Sequence, residues 1–237
     1  MSTTGVAEAP NAPNLSVEVI NDPKEKLDAL KLVADSVAQQ RQTASGILIF
    51  HPYSLAALVL TLSIALQLTG GINELAAASV TASGVLLTYL MVIRYFTSGY
   101  VLLAESTDWL EWLRDSETGN DDLIIGVRYG SDIIGTTVLR LLPGSKKDKE
   151  RRGRAVIRAW TTKLRYRRKG LGSDMLLEAI RIAESALGQD AVVEFAEDHA
   201  NSKILVPALF HKDFLGKQVK AERMLVETLT SKESEGH

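Results

Sequence analysis

Apolar and polar residues change their spacing several times along the chain, and each change marks an element. Leu15, Val17 and Val19 alternate with Ser16 and Glu18, the period of a short strand over Leu15–Ile20. Asp22-Pro23 then supplies a helix cap and a first-turn residue, and Leu27, Leu30, Val33, Ala34 and Val37 recur at helical spacing. Two stretches follow in which nearly every position is apolar, Ile47 to Leu68 and Leu75 to Ile93. Trp109, Leu110, Trp112 and Leu113 form an aromatic segment suited to an interface or a core. Leu123–Tyr129 and Ile133–Leu142, joined by Gly130-Ser131-Asp132 and stopped by Pro143-Gly144, read as a β-hairpin. A charged loop, Ser145 to Gly153, leads to a strand over Arg154–Leu164. The next helix opens at Gly170-Leu171-Gly172-Ser173, with Met175, Leu176, Ala179, Ile180 and Ala183 as its buried stripe. A strand over Asp190–Ala196, a helix over Asn201–Lys212 and a last alternating strand over Gln218–Thr228 complete the order. The expected fold class is mixed α/β, a central mixed sheet flanked by helices with a helical hairpin inserted into it.

The hairpin carries one formal charge, Glu74, between Ile47 and Ile93. Its halves are 22 and 19 residues long, and about 20 apolar residues cross a roughly 30 Å hydrocarbon core. The connection Gln67–Glu74 is short, polar and broken by glycines, as suits a turn outside a bilayer, and small residues from Ala76 to Gly84 permit close helix approach in lipid. The alternative is a buried hairpin in a soluble domain, since Leu55–Leu68 alone has the length of a core helix. The missing polar face of the second half favours two membrane spans. The turn has no Lys or Arg, whereas Lys24, Lys26, Lys31, Arg41 and Arg94 flank the spans, so both termini are expected in the cytosol. The endoplasmic reticulum is the default membrane. The expected organisation is a disordered tail (1–14), the first part of the α/β domain (15–46), the hairpin (47–98), the main part of the domain (99–230) and a tail (231–237).

Composition changes this picture in two places. The net charge of −2 over 237 residues hides a block, Arg140–Lys169, holding 13 of the 27 basic residues and two of the 29 acidic ones. The block is a solvated loop, a binder of anionic headgroups or a steering field for an acidic ligand; its few aromatics and the hairpin argue against nucleic acid. The absence of cysteine excludes a disulfide framework, a zinc ribbon and a thiolate nucleophile. No metal site and no leader segment are expected from the pattern.

The candidate chemistry lies where the block ends. A strand delivers the chain into Arg167-Arg168-Lys169-Gly170-Leu171-Gly172, and a helix begins there. Glycines let the backbone approach a ligand, and a helix N-terminus offers unpaired N–H groups and a partial positive charge. With Arg165, Arg167, Arg168 and Lys169 around it, this is an anion site for a phosphorylated co-substrate.

Ile133-Ile134-Gly135-Thr136-Thr137-Val138-Leu139-Arg140 and the Arg167–Gly172 loop together resemble the GNAT superfamily of acyl-CoA N-acyltransferases, whose loop has the pattern Q/R-x-x-G-x-G/A. The resemblance is good over Leu123–Leu187 and looser towards the C-terminus, and it marks the chain as similar to membrane-anchored members. It implies acetyl-CoA as co-substrate and an amine-bearing acceptor. It implies that Thr162, Arg167, Arg168, Lys169, Gly170, Leu171, Gly172 and Ser173 hold the cofactor, and that the strand around Arg158–Thr162 pairs with its pantetheine arm. An acceptor amine of pKa about 10.4 needs a general base. Glu194 and Glu197, with His199 beside them, are the candidates; a solvated strand end is their plain alternative. Leu209-Phe210-His211-Lys212-Asp213-Phe214 occupies the region where many family members keep a tyrosine acid, leaving His211 as the candidate acid. The expected function is a membrane-anchored N-acetyltransferase with a cytosolic active side. The alternative is a non-catalytic GNAT-like adaptor or assembly factor that binds another membrane protein through the hairpin.

Overall fold

Two apolar faces per strand explain why the strands of the central sheet read as nearly continuous hydrophobic runs. The computed structural model describes residues 14–70, 74–115, 118–144 and 152–235. Its sheet holds β1 (Leu15–Val19), β2 (Leu123–Tyr129), β3 (Asp132–Leu142), β4 (Arg154–Thr162) and β5 (Val192–Phe195), in that spatial order. All neighbours are antiparallel except β4 and β5, which are parallel. Ile124 and Val138 pack on one face with Ile20, Leu30 and Val33. Ile125, Leu139 and Ile157 pack on the other face with Leu176, Ala179 and Ile180. Helix α1 (Pro23–Phe50) covers the first face and helix α6 (Leu171–Leu187) the second. The predicted α6 stripe is the buried one, and Asp22 caps α1 by accepting from the amides of Lys24 and Glu25.

One inserted residue sets up the site. Val138 pairs with Ala159 and Leu139 with Ile157, so Arg158 has no partner on β3. Such a bulge reverses which face the following residues take. Ile157 therefore faces α6, Ala159 faces α1, and Trp160 returns to the α6 side, where its Nε1 donates to Gly172 O at 3.2 Å.

The hairpin is built differently from its reading in sequence. Ile47–Phe50 belongs to the last turn of α1, and α2 (Pro52–Leu68) starts after a break at His51, with a 57° bend between the two helices. Pro52 lacks the N–H that would have continued α1, and its ring fits a first helical turn. Helices α3 (Leu75–Thr97) and α4 (Gly99–Ser106) follow, and Leu75–Ser106 is long and apolar enough to cross a membrane, as the bent pair α1–α2 is jointly. Helix α2 buries none of its residues, and Leu68 and Leu75 are each 81% exposed. The hairpin is joined to the domain by Ala44, Leu48, Ile93, Tyr100 and Val206, with Phe210 and Phe214 packed against them. The short α5 (Trp109–Leu113) packs its aromatic pair against the α1 face of the sheet.

The C-terminal part departs from expectation. Gln218–Thr228 is not a sixth strand but the middle of α7 (His211–Glu235), which also runs through most of the supposed tail. Met224, Leu225 and Leu229 recur at helical spacing and pack against the core next to α6, which outweighs the local alternation. The helix expected over Asn201–Lys212 is reduced to a 3₁₀ turn at Ala208–Phe210, preceded by Pro207. The tip of the hairpin turn (71–73), nearly all of the N-terminal tail (1–13) and most of the basic loop (145–151) lie outside the described residues.

Candidate functional site

β4 and β5 stay paired only as far as Ile157 and Phe195. Ala196 N–H then donates to Ile157 O at 2.9 Å and Ala200 N–H to Arg158 O at 2.8 Å, after which β4 continues alone to Thr162. The divergence opens a cleft of about 470 Å³ between β4, the start of α6, the middle of α1 and the first half of α7.

One end of the cleft combines cationic side chains with open backbone at a helix N-terminus. After β4 the chain makes a 3₁₀ turn at Leu164–Tyr166 and enters the left-handed region at Arg168 (φ +63°) and Gly170 (φ +86°), which caps α6. No atom lies within 4 Å of where a Gly170 side chain would begin, so its backbone is open. By helix geometry the amides of Leu171 and Gly172 have no carbonyl behind them within α6. A side chain at Gly172 would begin 2.8 Å from the Trp160 ring, so this position must lack one. Arg167 is held by its Nε donation to Thr162 O at 3.1 Å and by a bond to Gln39 Oε1 at 2.9 Å. Thr162, Arg167, Arg168, Gly170, Leu171, Gly172 and Ser173 all line the cleft. Lys169 is not among its walls; its ammonium lies over the Tyr166 ring, 5.4 Å from the centroid.

The predicted acid–base residues are placed elsewhere. Glu194 lies on β5 between Val193 and Phe195 and accepts from Arg154 Nε at 2.9 Å. Glu197 is exposed in the turn after β5. His211 Nε2 contacts Val206 O at 2.8 Å. None of the three lines the cleft.

Two other titratable residues, His199 and Glu222, line the cleft. His199 lines the cleft, and its Nδ1 accepts from Asn201 N–H at 3.1 Å. That acceptance puts the ring proton of the neutral form on Nε2, and Nε2 is buried with no partner among the described residues. Burial pushes the imidazolium pKa down to about 4 against a smaller opposing pull from Asp198, so the ring is neutral at pH 7. Among the described lining residues the one carboxylate is Glu222 on α7, contacted by Gln218 Nε2 at 3.4 Å. The sequence carries a signal for Glu222 in the helical spacing of Phe214, Gln218, Ala221 and Met224, which the strand reading of Gln218–Thr228 hid.

The loop bearing His199 is tied down on both sides. Gln40 Nε2 on α1 donates to Asn201 O at 2.7 Å, and Asn201 Nδ2 donates to Ser36 Oγ at 3.1 Å. Beneath β4, Asp122 accepts from Arg140 Nε at 2.7 Å and from Arg158 at 2.6 Å. The Arg158 guanidinium also lies 4.2 Å from the Trp112 ring centroid. These charges are buried together, and each satisfies another.

Residues 90–205 match the model of the acetyltransferase (GNAT) family, a segment that contains β2 to β5 and α6. The matched segment, just under half of the chain, is similar to that family and holds four of the five strands of the sheet together with α6. Among solved structures the chain is similar to a transcriptional regulator from Bacillus halodurans C-125, with 21% identity over 50% of this chain and 68% of that one and a TM-score of 0.29. It is also similar to two aminoglycoside acetyltransferases from uncultured soil metagenomic samples. One has 12% identity over 77% of this chain and 79% of the other, the second 16% over 56% and 79%, each with a TM-score of 0.30. No curated protein matches the chain.

Proposed function

We propose that this protein is a membrane-anchored N-acetyltransferase that carries acetyl from acetyl-CoA to an amine, with its cleft on the cytosolic side. The observation that carries the reading is the splayed β4–β5 edge ending in an open helix N-terminus flanked by Arg167 and Arg168. The residues present fit acetyl-CoA. The bare backbone at Gly170 and the unpaired amides of Leu171 and Gly172 suit a pyrophosphate. The edge of β4 that β5 leaves uncovered from Ala159 to Thr162, paired with β3 on its other side, offers strand-edge hydrogen bonds to an amide-bearing pantetheine arm. His199 Nε2–H is a buried donor in want of an acceptor.

Bound acetyl-CoA supplies a thioester carbon to the amine nitrogen; the C–N bond forms, the C–S bond breaks and sulfur leaves with the electron pair. Glu222 takes the proton that makes the amine nucleophilic. His199 Nε2–H, held as a donor by Asn201, favours charge that develops on the acyl oxygen. A thiol of pKa near 8.5 leaves as a thiolate without a dedicated acid, which suits a chain with Phe210 in place of a tyrosine. The exposed apolar helices support the anchoring, since α2 buries nothing and Leu75–Ser106 is long and apolar enough to cross a membrane. The flanking basic residues support cytosolic termini, and the endoplasmic reticulum is the proposed membrane.

The test is titration of the purified protein in detergent with acetyl-CoA, with Gly170→Glu as control. Saturable binding that the substitution abolishes is expected; binding indifferent to it would overturn the reading. A second reading, a non-catalytic adaptor for another membrane protein, is favoured by Phe210, whose ring stacks edge-on to His51 at 4.7 Å where an acid is usual. Binding of acetyl-CoA without transfer to any amine class would support it.

A further inference from the structure

The cleft and the hairpin share walls. Gln39, Gln40 and Thr43 of α1 line the cleft, and the same helix ends at Phe50 where the hairpin begins. At 1.5 Å per residue, Thr43 and Phe50 are about 10 Å apart along the axis. The other wall makes the same link. Ile204 and Phe214 line the cleft and also pack against Leu48, Ile93 and Tyr100 at the foot of the hairpin. Around that foot Phe50, Tyr53, Leu205 and Leu209 are exposed.

The lining is divided in its chemistry. Towards α1 it is polar, with the amides of Gln39 and Gln40 and the hydroxyl of Thr43, and its one charge is at the Gln39 end, where Arg167 bonds Gln39 Oε1 at 2.9 Å. Towards α7 it is mainly apolar, with Phe214, Ala221 and Met224 beside Gln218, and among the described lining residues Glu222 is the one carboxylate. A polycationic soluble acceptor would call for several carboxylates. One carboxylate, a hydrogen-bonding side and an apolar side that leads to the hairpin suit a different molecule.

Resting on the acetyltransferase and membrane readings above, we propose that the acceptor is a membrane amphiphile, a long-chain primary amine with hydroxyl groups on its head. Glu222 pairs with the ammonium and takes its proton. The other ends of the two amides, Gln39 Nε2 and Gln40 Oε1, meet the head hydroxyls, and the chain lies along Phe214 and Ile204 towards the foot of the hairpin. The products are the N-acetyl amphiphile, which stays in the membrane, and free CoA thiol; of the two protons the ammonium nitrogen loses through Glu222, one ends on the thiol and the other is released to water.

The experiment uses the full chain in phosphatidylcholine nanodiscs with acetyl-CoA and two acceptors, a long-chain 2-amino-1,3-diol and the same head without its chain. A chain of about 16 to 18 carbons matches one leaflet of a roughly 30 Å core. Free thiol release should favour the long-chain amine by at least about 100-fold in kcat/KM, the gain from burying roughly four methylenes. Equal use of the short head, or of a soluble lysine peptide, overturns the proposal.

A second readout is independent of turnover. A long-chain aminodiol carrying a photoreactive diazirine in its tail should label peptides containing Ile204 and Phe214. The long-chain amine should compete with that labelling, and the short head should not. Labelling confined to α2 and α3 overturns the proposal. Phe214→Ala should raise KM for the long-chain amine while leaving acetyl-CoA affinity within about 2-fold. Acetyl-CoA bound and hydrolysed with no transfer to the long-chain amine overturns this inference alone. Failure to bind acetyl-CoA overturns the underlying acetyltransferase reading as well.

Discussion

Arg158 donates to Asp122 Oδ2 at 2.6 Å, and the side chains are 8% and 2% exposed. The pair anchors the one residue of β4 without a partner on β3, the residue whose insertion turns Trp160 towards Gly172. A buried ionic contact thus supports the bulge beside which the cleft opens.

Asp122→Ala should therefore cost more than a surface substitution. It leaves the buried Arg158 without its carboxylate, while the partly exposed Arg140 keeps Asp115 at 3.2 Å, and breaking a buried pair costs about 3–5 kcal/mol. Denaturant unfolding should show that loss, and calorimetry on the folded fraction should show weaker acetyl-CoA binding. Wild-type stability in the variant would disprove the role given to Asp122.

Gly170 and Gly172 should respond differently to alanine. At Gly172 the new carbon would meet the Trp160 ring at 2.8 Å, forcing the ring to move. An overpacking cost of about 1–3 kcal/mol is expected, with at least about a tenfold loss of acetyl-CoA affinity. At Gly170 the space is open and only the left-handed backbone resists, at about 1–2 kcal/mol. Thermal melts paired with acetyl-CoA titrations separate the two.

Glu222→Gln should lower turnover by about 10²–10⁴-fold with little change in acetyl-CoA affinity, the range for loss of a positioned base. Glu194→Gln, Glu197→Gln and His211→Asn should stay within about 2-fold, since none lines the cleft. Steady-state kinetics over the set would count against Glu222 if all four behaved alike.

His199 makes stability depend on pH. Its folded pKa of about 4 lies below the ordinary value of 6.5, so the unfolded chain binds the proton more readily. The native state's advantage is complete above about pH 6.5 and is lost as pH falls towards 4. The depression corresponds to roughly 3 kcal/mol as an upper bound. His199→Gln should flatten unfolding free energy against pH in that window; an unchanged slope would assign the pH dependence to other groups.

The membrane reading has its own test. Arginine at Leu60 or Val80, both exposed on the hairpin, should cost about 2.5–3.5 kcal/mol of insertion. Carbonate extraction of the variants should then release protein that the wild type retains. Equal retention would mean that these helices do not span a bilayer.

Much of the fold was legible because its signals are local. The β2–β3 hairpin follows from a glycine turn between two apolar runs, and the α6 stripe from helical spacing beside Gly170. The anion loop was legible for the same reason, as seven of the eight residues predicted from Thr162 to Ser173 line the cleft. Which titratable residues line the cleft was not legible. Glu194 is next to the cleft in sequence, but on β5 it pairs with Arg154 and lies outside the lining. Glu222 lies in a segment whose alternation imitates a strand, and its helix is set by packing beside α6.

The order of residues was enough to specify a mixed α/β domain, a charge-poor apolar hairpin within it and a glycine loop opening a helix, because periodicity, cap chemistry and backbone permissiveness act over a few neighbouring residues. Which carboxylate reaches the cleft, that His199 is buried with an idle donor and that the cleft stands at the foot of the hairpin came only with the folded chain. Those relationships join α1, β4, the β5–α7 connection and α7 across well over a hundred residues, and packing between distant segments leaves no mark in local spacing.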